Sequence, residues 1–426
     1  MTVVIEHLSC LRCEATYPSG FPIDSRGCPR CAATAPSNLR PIYEARWPQV
    51  DHGFTQIPSM WRYGSMLPIE SSATVSLGEG LTPLSPAERL GVKFDVKRLL
   101  IKDESRNPTG SHKDRFSAVL TSYARQRGYS TIATASSGNA GASLAAYAAH
   151  AGLQCIVSTF NGGPAPMLAQ IRAFGATVVP FDEKMDRWKF LAEGWERRRW
   201  VVASPFSAPV VGSHPIGVEG YKTIAFELAE QMNGRDLDWC ALPVCYGDVL
   251  SGVWEGFKEA FNAGLVRKLP RLIAAEVYGS LDAAMSCGSD QVAAMARPFA
   301  TVALSIGATQ SSFQALRALR QSRGIACSVD NDRLLAAQRD LAMLEGIFAE
   351  LSAVAPLVAI DTLRRTGVIA GPDCVAAVIT ASGMKDFDIS QQAIPAVKAM
   401  PGRLLPGTKL NKLCLCKRRH RKRNLS

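Results

Sequence analysis

Lys113 lies in "NPTGSHKDR", two residues past a Gly-Ser turn and at the mouth of a helix-like run. A surface lysine needs no such setting. A lysine that must form a covalent bond does, because its amine needs a fixed position and a lowered pKa. Two further stretches, "ATASSGNAGASLAAYAA" and "PVCYGDVLSGVWEGF", each read as a strand, a turn and a helix start. Such turns leave backbone N–H groups free at a helix N-terminus, where anions bind well. A positioned lysine with two anion cradles suggests a cofactor carrying both an aldehyde and a phosphate, and pyridoxal phosphate is the obvious candidate. A separate group has metal-ligand spacing. "CLRC" at Cys10 and Cys13 and "CPRC" at Cys28 and Cys31 are separated by fourteen residues that include Pro18, Gly20, Pro22 and Gly27. Each pair gives two sulfurs from one tight turn, which suits a tetrahedral thiolate zinc site. Four thiolates close the coordination shell, so the expected zinc is structural.

These residues need elements to hold them. "RLLIKDE" reads as a strand, and "KDRFSAVLTSYARQRG" as an amphipathic helix with Phe116, Val119, Leu120 and Tyr123 on one stripe. "YSTIATA", "LQCIVST" and "TVVPF" read as strands, and "NAGASLAAYAAHAG" and "APMLAQIRAFGA" as helices between them. The alternation recurs in "DWCALPV", "GVWEGFKEAFNAG", "PRLIAAEVYG" and "CVAAVITASG". It predicts an α/β protein with parallel sheets covered by helices. The expected division is a four-cysteine, zinc-ribbon-like module at 1–45, a large cofactor-binding domain at 46–124 and 213–400, and a small substrate-closing domain at 125–212. A basic tail follows at 401–426.

With 426 residues, 47% of them hydrophobic, the chain can build two domains with sizeable cores. The net charge is +11, but the tail holds nine Lys and Arg and no acid; subtracting these nine leaves a body of +2. A near-neutral body argues against nucleic acid as the main partner. The tail reads as a solvated end or, alternatively, as a contact for nucleic acid or an anionic surface. No apolar run is long enough to cross a membrane, the N-terminus lacks a secretory pattern, and the remaining cysteines are scattered. The expectation is a cytoplasmic protein with no membrane contact.

The motifs "NPTGSHKDR", "SSGNAGAS", "GVEGYKTIAFEL", "LSIGATQSSFQAL", "EGIFAELSA" and "ITASGMKDFD", in that order from about Leu77 to Asp388, resemble the threonine synthase branch of fold-type II pyridoxal-phosphate enzymes. The resemblance implies a two-domain fold like that of the tryptophan synthase β subunit, a homodimer, and an amino acid as substrate. It makes Lys113 the Schiff-base lysine, with His112 standing where the family usually has Phe. It places Asn139 against the cofactor's ring hydroxyl, and Ser136, Ser137, Gly138 and Ala140 around the substrate carboxylate. Thr380, with Ser382 as the neighbouring alternative, would face the pyridine nitrogen. A hydroxyl there makes a weaker electron sink than a carboxylate, which suits elimination and replacement at Cβ and Cγ. The cofactor phosphate would sit on Tyr246, Gly247, Asp248 and Val249, aided by Ser251. Asp248 beside a phosphate is repulsive unless its side chain points away. Glu350 also matches a family position, although Leu351 replaces the usual Pro, and it receives no chemical role.

The reaction implied is threonine synthase-like: O-phosphohomoserine to threonine, or a related elimination or replacement. The alternatives are a threonine or serine dehydratase-type ammonia-lyase, another β-replacement enzyme and, more distantly, a non-catalytic relative. The family clamps the substrate phosphate with an Asn-Pro and then an Arg. Here "SHPIGVEGYKT" puts His214 at the Asn position and Gly217 at the Arg position. O-phosphohomoserine is therefore expected to be a poor or differently bound substrate, with Arg106 or Lys222 as compensating cations. Gly217→Arg is expected to restore the clamp.

Overall fold

The computed structural model describes residues 4–48, 57–161, 165–183 and 185–390. The 401–426 tail lies outside them. The chain opens with a three-stranded antiparallel sheet in the order β2-β1-β3, built from β1 (Ile5–Cys10), β2 (Thr16–Pro18) and β3 (Leu39–Tyr43). β4 (Leu84–Pro86) and β5 (Arg98–Asp103) begin a second sheet. The chain then leaves it for a four-stranded parallel sheet of β6 (Thr131–Thr134), β7 (Gln154–Phe160), β8 (Thr177–Phe181) and β9 (Val201–Val202), ordered β8-β7-β6-β9. It returns with β10 (Trp239–Pro243), β11 (Arg271–Glu276), β12 (Ile325–Ser328) and β13 (Cys374–Ile379). The completed sheet runs β12-β11-β10-β13-β5-β4. Its strands pair in parallel except at one edge, where β4 pairs antiparallel to β5, a departure from the wholly parallel expectation. Each parallel step needs a crossover, which the intervening helices supply.

The helix Lys113–Gln126 links the two larger sheets. It was expected to show one face to solvent, yet Asp114 through Ala124 are all buried. Asp114, Arg115 and Ser117 tolerate burial because each has a partner. Asp114 accepts from the Thr109 amide at 2.7 Å and the Thr109 hydroxyl at 2.5 Å, which fixes the loop before Lys113. The Ser117 hydroxyl accepts from that of Ser143 on the helix Asn139–Ala151, at 2.7 Å. Arg115 donates to Glu104 at 2.7 Å and to Glu227 at 2.6 Å, and Lys102 donates to Glu227 at 2.6 Å. All four charges are at most 1% exposed. Removing one member of such a cluster would strand a buried charge, at a cost of about 3–5 kcal/mol.

Candidate active site

Lys113 is the first residue of its helix, and the loop ahead of it is stitched to the chain just after β13. The His112 amide and its Nδ1 both donate to the Thr380 carbonyl, at 2.9 and 3.1 Å, and the Ser382 amide donates to the Gly110 carbonyl at 3.0 Å. These bonds bring the Lys113 and Thr380 backbones together, as two distant motifs required. His112 is buried and its ring stacks on Tyr221, with centroids 5.4 Å apart. It fills the aromatic place expected of Phe. Burial, with the Lys113 and Arg115 cations nearby, holds its pKa well below the usual range.

The Lys113 amine donates to the Tyr221 hydroxyl at 3.2 Å. Burial pulls the amine's pKa down, but Tyr221 and Asp248 outweigh burial and hold it above its ordinary value. This corrects the expected lowering. The groups acting on the amine, Tyr221, Asp248 and Cys245, all favour its charged form, and no cation is among them to help burial lower it.

Asn139 begins the helix Asn139–Ala151, capped by Gly138. Its Nδ2 donates to Glu350 Oε2 at 2.5 Å, and Oε1 of the same carboxylate accepts from the Ser305 hydroxyl. The carboxylate thus fixes which way the amide faces. Asn139 Oδ1 is left buried and without a partner, an arrangement that costs about 1–3 kcal/mol unless something donates to it. Glu350, given no role from sequence, is what orients Asn139. Ser136 Oγ accepts from the Gly138 amide at 3.3 Å, so the Ser136–Ala140 loop closes on itself ahead of the helix. Ser137 and Ala140 are half-buried, and Ala140 lines the same cleft as Lys113.

The turn Tyr246–Val249 precedes the helix Asp248–Asn262, and Gly247 caps it with φ 83°. A Cβ on Gly247 would lie 2.2 Å from the Ala315 Cβ, so glycine is required twice over. The Ser251 amide bonds the Gly247 carbonyl at 2.9 Å, leaving the earlier amides of the helix without intrahelical partners. Asp248 is the residue whose charge argued against a phosphate here. Its Oδ1 accepts from the Ser213 amide at 2.9 Å and from Gln314 Nε2 at 2.5 Å, and its Oδ2 from the Ser213 hydroxyl at 2.6 Å. The carboxylate is therefore engaged with Ser213 and Gln314. Gln314 in turn meets Asn38, whose Nδ2 donates to Gln314 Oε1 at 3.4 Å and to the Ser213 carbonyl at 3.0 Å.

The expected substrate clamp takes a different form. His214 is 2% exposed, and its Nδ1 accepts from the Ile216 amide at 3.3 Å, capping the helix Pro215–Val218. Burial pushes its pKa down to about 4, so it carries no charge at neutral pH. A Cβ on Gly217 would lie 2.4–2.7 Å from carbons of the Phe116 ring. Phe116 thus occupies the room that an arginine stem would need, and Gly217→Arg cannot be expected to rebuild a clamp. Neither proposed substitute is among the residues lining the cleft. Arg106 is exposed, and Lys222 is buried against Glu219 at 2.8 Å and Glu259 at 3.0 Å. The cleft spans about 320 Å³ including its open mouth and is walled by Phe116, Ser117, Thr134, Ala140, Leu144, Ala203, Ser204, Ser213 and Tyr221, with Lys113 as the one cation among these lining residues. Sequence reading gave no site role to Tyr221, Phe116, Ser213 or Gln314. All four lay inside quoted stretches, but nothing in the sequence said which way any of them pointed.

In the amino-terminal module the Sγ atoms of Cys10, Cys13, Cys28 and Cys31 all lie within 4.8 Å of one another. Cys10 and Cys31 are 3.7 Å apart, and Cys13 and Cys28 are 3.8 Å apart. These separations are too long for disulfides and match the roughly 3.8 Å edge of a tetrahedron with zinc–sulfur bonds of about 2.3 Å.

Comparison with known proteins agrees with this geometry. The profile of the family described as "Pyridoxal-phosphate dependent enzyme" matches residues 75–381. The chain is 33% identical to threonine synthase of Methanosarcina acetivorans, over 89% of this chain and 92% of that protein. It is 34% identical to threonine synthase of Methanocaldococcus jannaschii, over 78% of this chain and 82% of that one. Among solved structures, an L-serine ammonia-lyase from Rhizomucor miehei has a TM-score of 0.62 at 22% identity, covering 74% of this chain and 98% of that chain. Threonine deaminase isoform 2 from Solanum lycopersicum has a TM-score of 0.61 at 21% identity, covering 73% and 86%. The structural likenesses establish the fold-type II architecture.

Proposed function

The chain belongs to the family of pyridoxal-phosphate dependent enzymes, and on that premise we propose that it is a threonine synthase-like lyase, catalysing elimination or replacement on an amino acid. What supports this is a cleft lined by Lys113, by Ala140, which follows Asn139 with its unpartnered oxygen, and by Ser213, which bonds Asp248 beside Gly247 at the turn with its free helix amides. A lysine, an acceptor for a ring hydroxyl and a phosphate cradle are what pyridoxal phosphate needs. When bound, the cofactor supplies the electron sink that makes a Cα proton removable. Lys113 would hold it and afterwards move the proton at Cα. The amides of Ser136–Ala140 would hold the substrate carboxylate, Asn139 the ring hydroxyl, and Tyr246–Val249 with Ser251 the phosphate. Thr380 would lie at the pyridine nitrogen.

Within this class two substrates compete. The relatives' names favour O-phosphohomoserine. The cleft favours the ammonia-lyase reading on one specific ground: a doubly charged leaving group needs cations to clamp it, and among the described residues lining the cleft Lys113 is the only one. We further propose one structural zinc on Cys10, Cys13, Cys28 and Cys31, a small closing domain around the sheet β8-β7-β6-β9, and a homodimer in the cytoplasm. Borohydride reduction followed by peptide mapping should place the cofactor on Lys113; a label on another lysine ends the reading. A parallel assay of O-phosphohomoserine, threonine and serine, following phosphate, threonine and 2-oxo acid, then separates the substrates.

A further inference from the structure

Tyr221 lies in the cleft with its ring between Phe116, at 5.9 Å, and His112, at 5.4 Å. It is 1% exposed. Among the described residues, Lys113 is the one hydrogen-bond partner of its hydroxyl, at 3.2 Å. A buried phenol packed between two aromatic rings is held in place without that bond, so packing alone does not account for the hydroxyl. Apart from Lys113, which is to hold the cofactor, the other polar side chains lining the cleft are the neutral hydroxyls of Ser117, Thr134, Ser204 and Ser213. The cleft therefore offers a leaving group a proton rather than a counter-charge.

Resting on the reading of the chain as a pyridoxal-phosphate lyase, we propose that Tyr221 is a catalytic acid that protonates a departing hydroxyl, and that the substrate class is a β-hydroxy amino acid. The unprotonated Lys113 amine takes the proton from Cα. The Cβ–O bond breaks and the oxygen keeps its electron pair. That oxygen takes the phenolic proton of Tyr221, and the phenolate recovers a proton from the Lys113 ammonium 3.2 Å away. The proton lost from Cα ends in the released water, and nothing is oxidised or reduced. Burial supports the assignment by pushing the Tyr221 pKa up to about 12, which keeps the phenol protonated at neutral pH.

The test compares holoenzyme and its Tyr221→Phe variant on two leaving groups. Serine and threonine lose hydroxide, which needs a proton; β-chloro-L-alanine loses chloride, which does not. The phenyl ring preserves the packing, and the bound-cofactor absorbance checks that both proteins are loaded at Lys113. The expected result is a fall in kcat for the hydroxy substrates about a hundredfold or more larger than any fall in chloride elimination, since both reactions share whatever the variant changes at Lys113. An equal loss on both substrates, or no loss on either, overturns the proposal. So does a native enzyme that eliminates chloride but leaves serine and threonine untouched. A native protein that takes up no cofactor at Lys113 overturns the underlying reading as well, and the absorbance control tells that failure from the others.

Discussion

At the scale of single residues, the charge on Lys113 decides how the site loads. Condensation with an aldehyde needs the neutral amine. Burial favours that form, yet Tyr221 and Asp248 keep the pKa above its ordinary value. Below that pKa the neutral fraction grows about tenfold for each pH unit. Cofactor uptake by the apoprotein should therefore accelerate steadily from pH 7 to pH 9, as followed by stopped-flow absorbance. A rate flat across this range would mean that the amine is already neutral at pH 7, as the sequence alone suggested. The same residue shows why sequence reading reached Lys113 but misjudged its state. "TGSHKDR" marks the lysine by its own neighbours, whereas its pKa is set by Tyr221 and Asp248, which are remote in the chain.

Elements decide what a substitution can achieve. Gly217 lies in the helix Pro215–Val218, which packs on the lysine helix so closely that a Cβ would strike the Phe116 ring at 2.4 Å. Gly217→Ala should therefore destabilise the fold by about 1–3 kcal/mol, as overpacking does, and should shift the urea midpoint downward. A neutral effect would show that Phe116 swings aside, and would reopen the case for an arginine clamp. Strands and helices here were largely legible in the sequence because apolar runs alternate with helical periodicity from β5 to β13. The small strand β9 has two residues and the edge strand β4 has three, too few to carry a pattern. The lysine helix reads as amphipathic because Asp114, Arg115 and Ser117 are polar. Only their partners Thr109, Glu104, Glu227 and Ser143 reveal that these faces are buried. Glu350 and Asn139 stand 211 residues apart, and no local pattern joins them.

For the molecule as a whole, the cysteine module is not a separate appendage. Asn38 follows Ser37, whose carbonyl accepts from the Cys28 amide at 2.9 Å, and the Asn38 carbonyl accepts from the Leu11 amide at 3.1 Å. Its side chain reaches the Ser213 carbonyl and Gln314, and Gln314 holds Asp248 at the start of the turn expected to take the cofactor phosphate. Arg12, between Cys10 and Cys13, stacks over the ring of Phe313, the neighbour of Gln314, at 3.5 Å. The four sulfurs and the turn are thus joined through few bonds. One zinc per chain is expected by metal analysis. Its removal by chelation, or by Cys10→Ser with Cys28→Ser, should weaken cofactor binding without any change at Lys113. Gln314→Ala should weaken binding by roughly tenfold, the size of one hydrogen bond to a charged group, with the zinc retained. If the module acts through Asn38 and Gln314, chelating the Gln314→Ala protein should weaken binding little further, because coupled sites are not additive. The readout is a cofactor titration by absorbance. Two losses that simply add would mean that the metal stabilises the module alone and that the turn is held by the catalytic body.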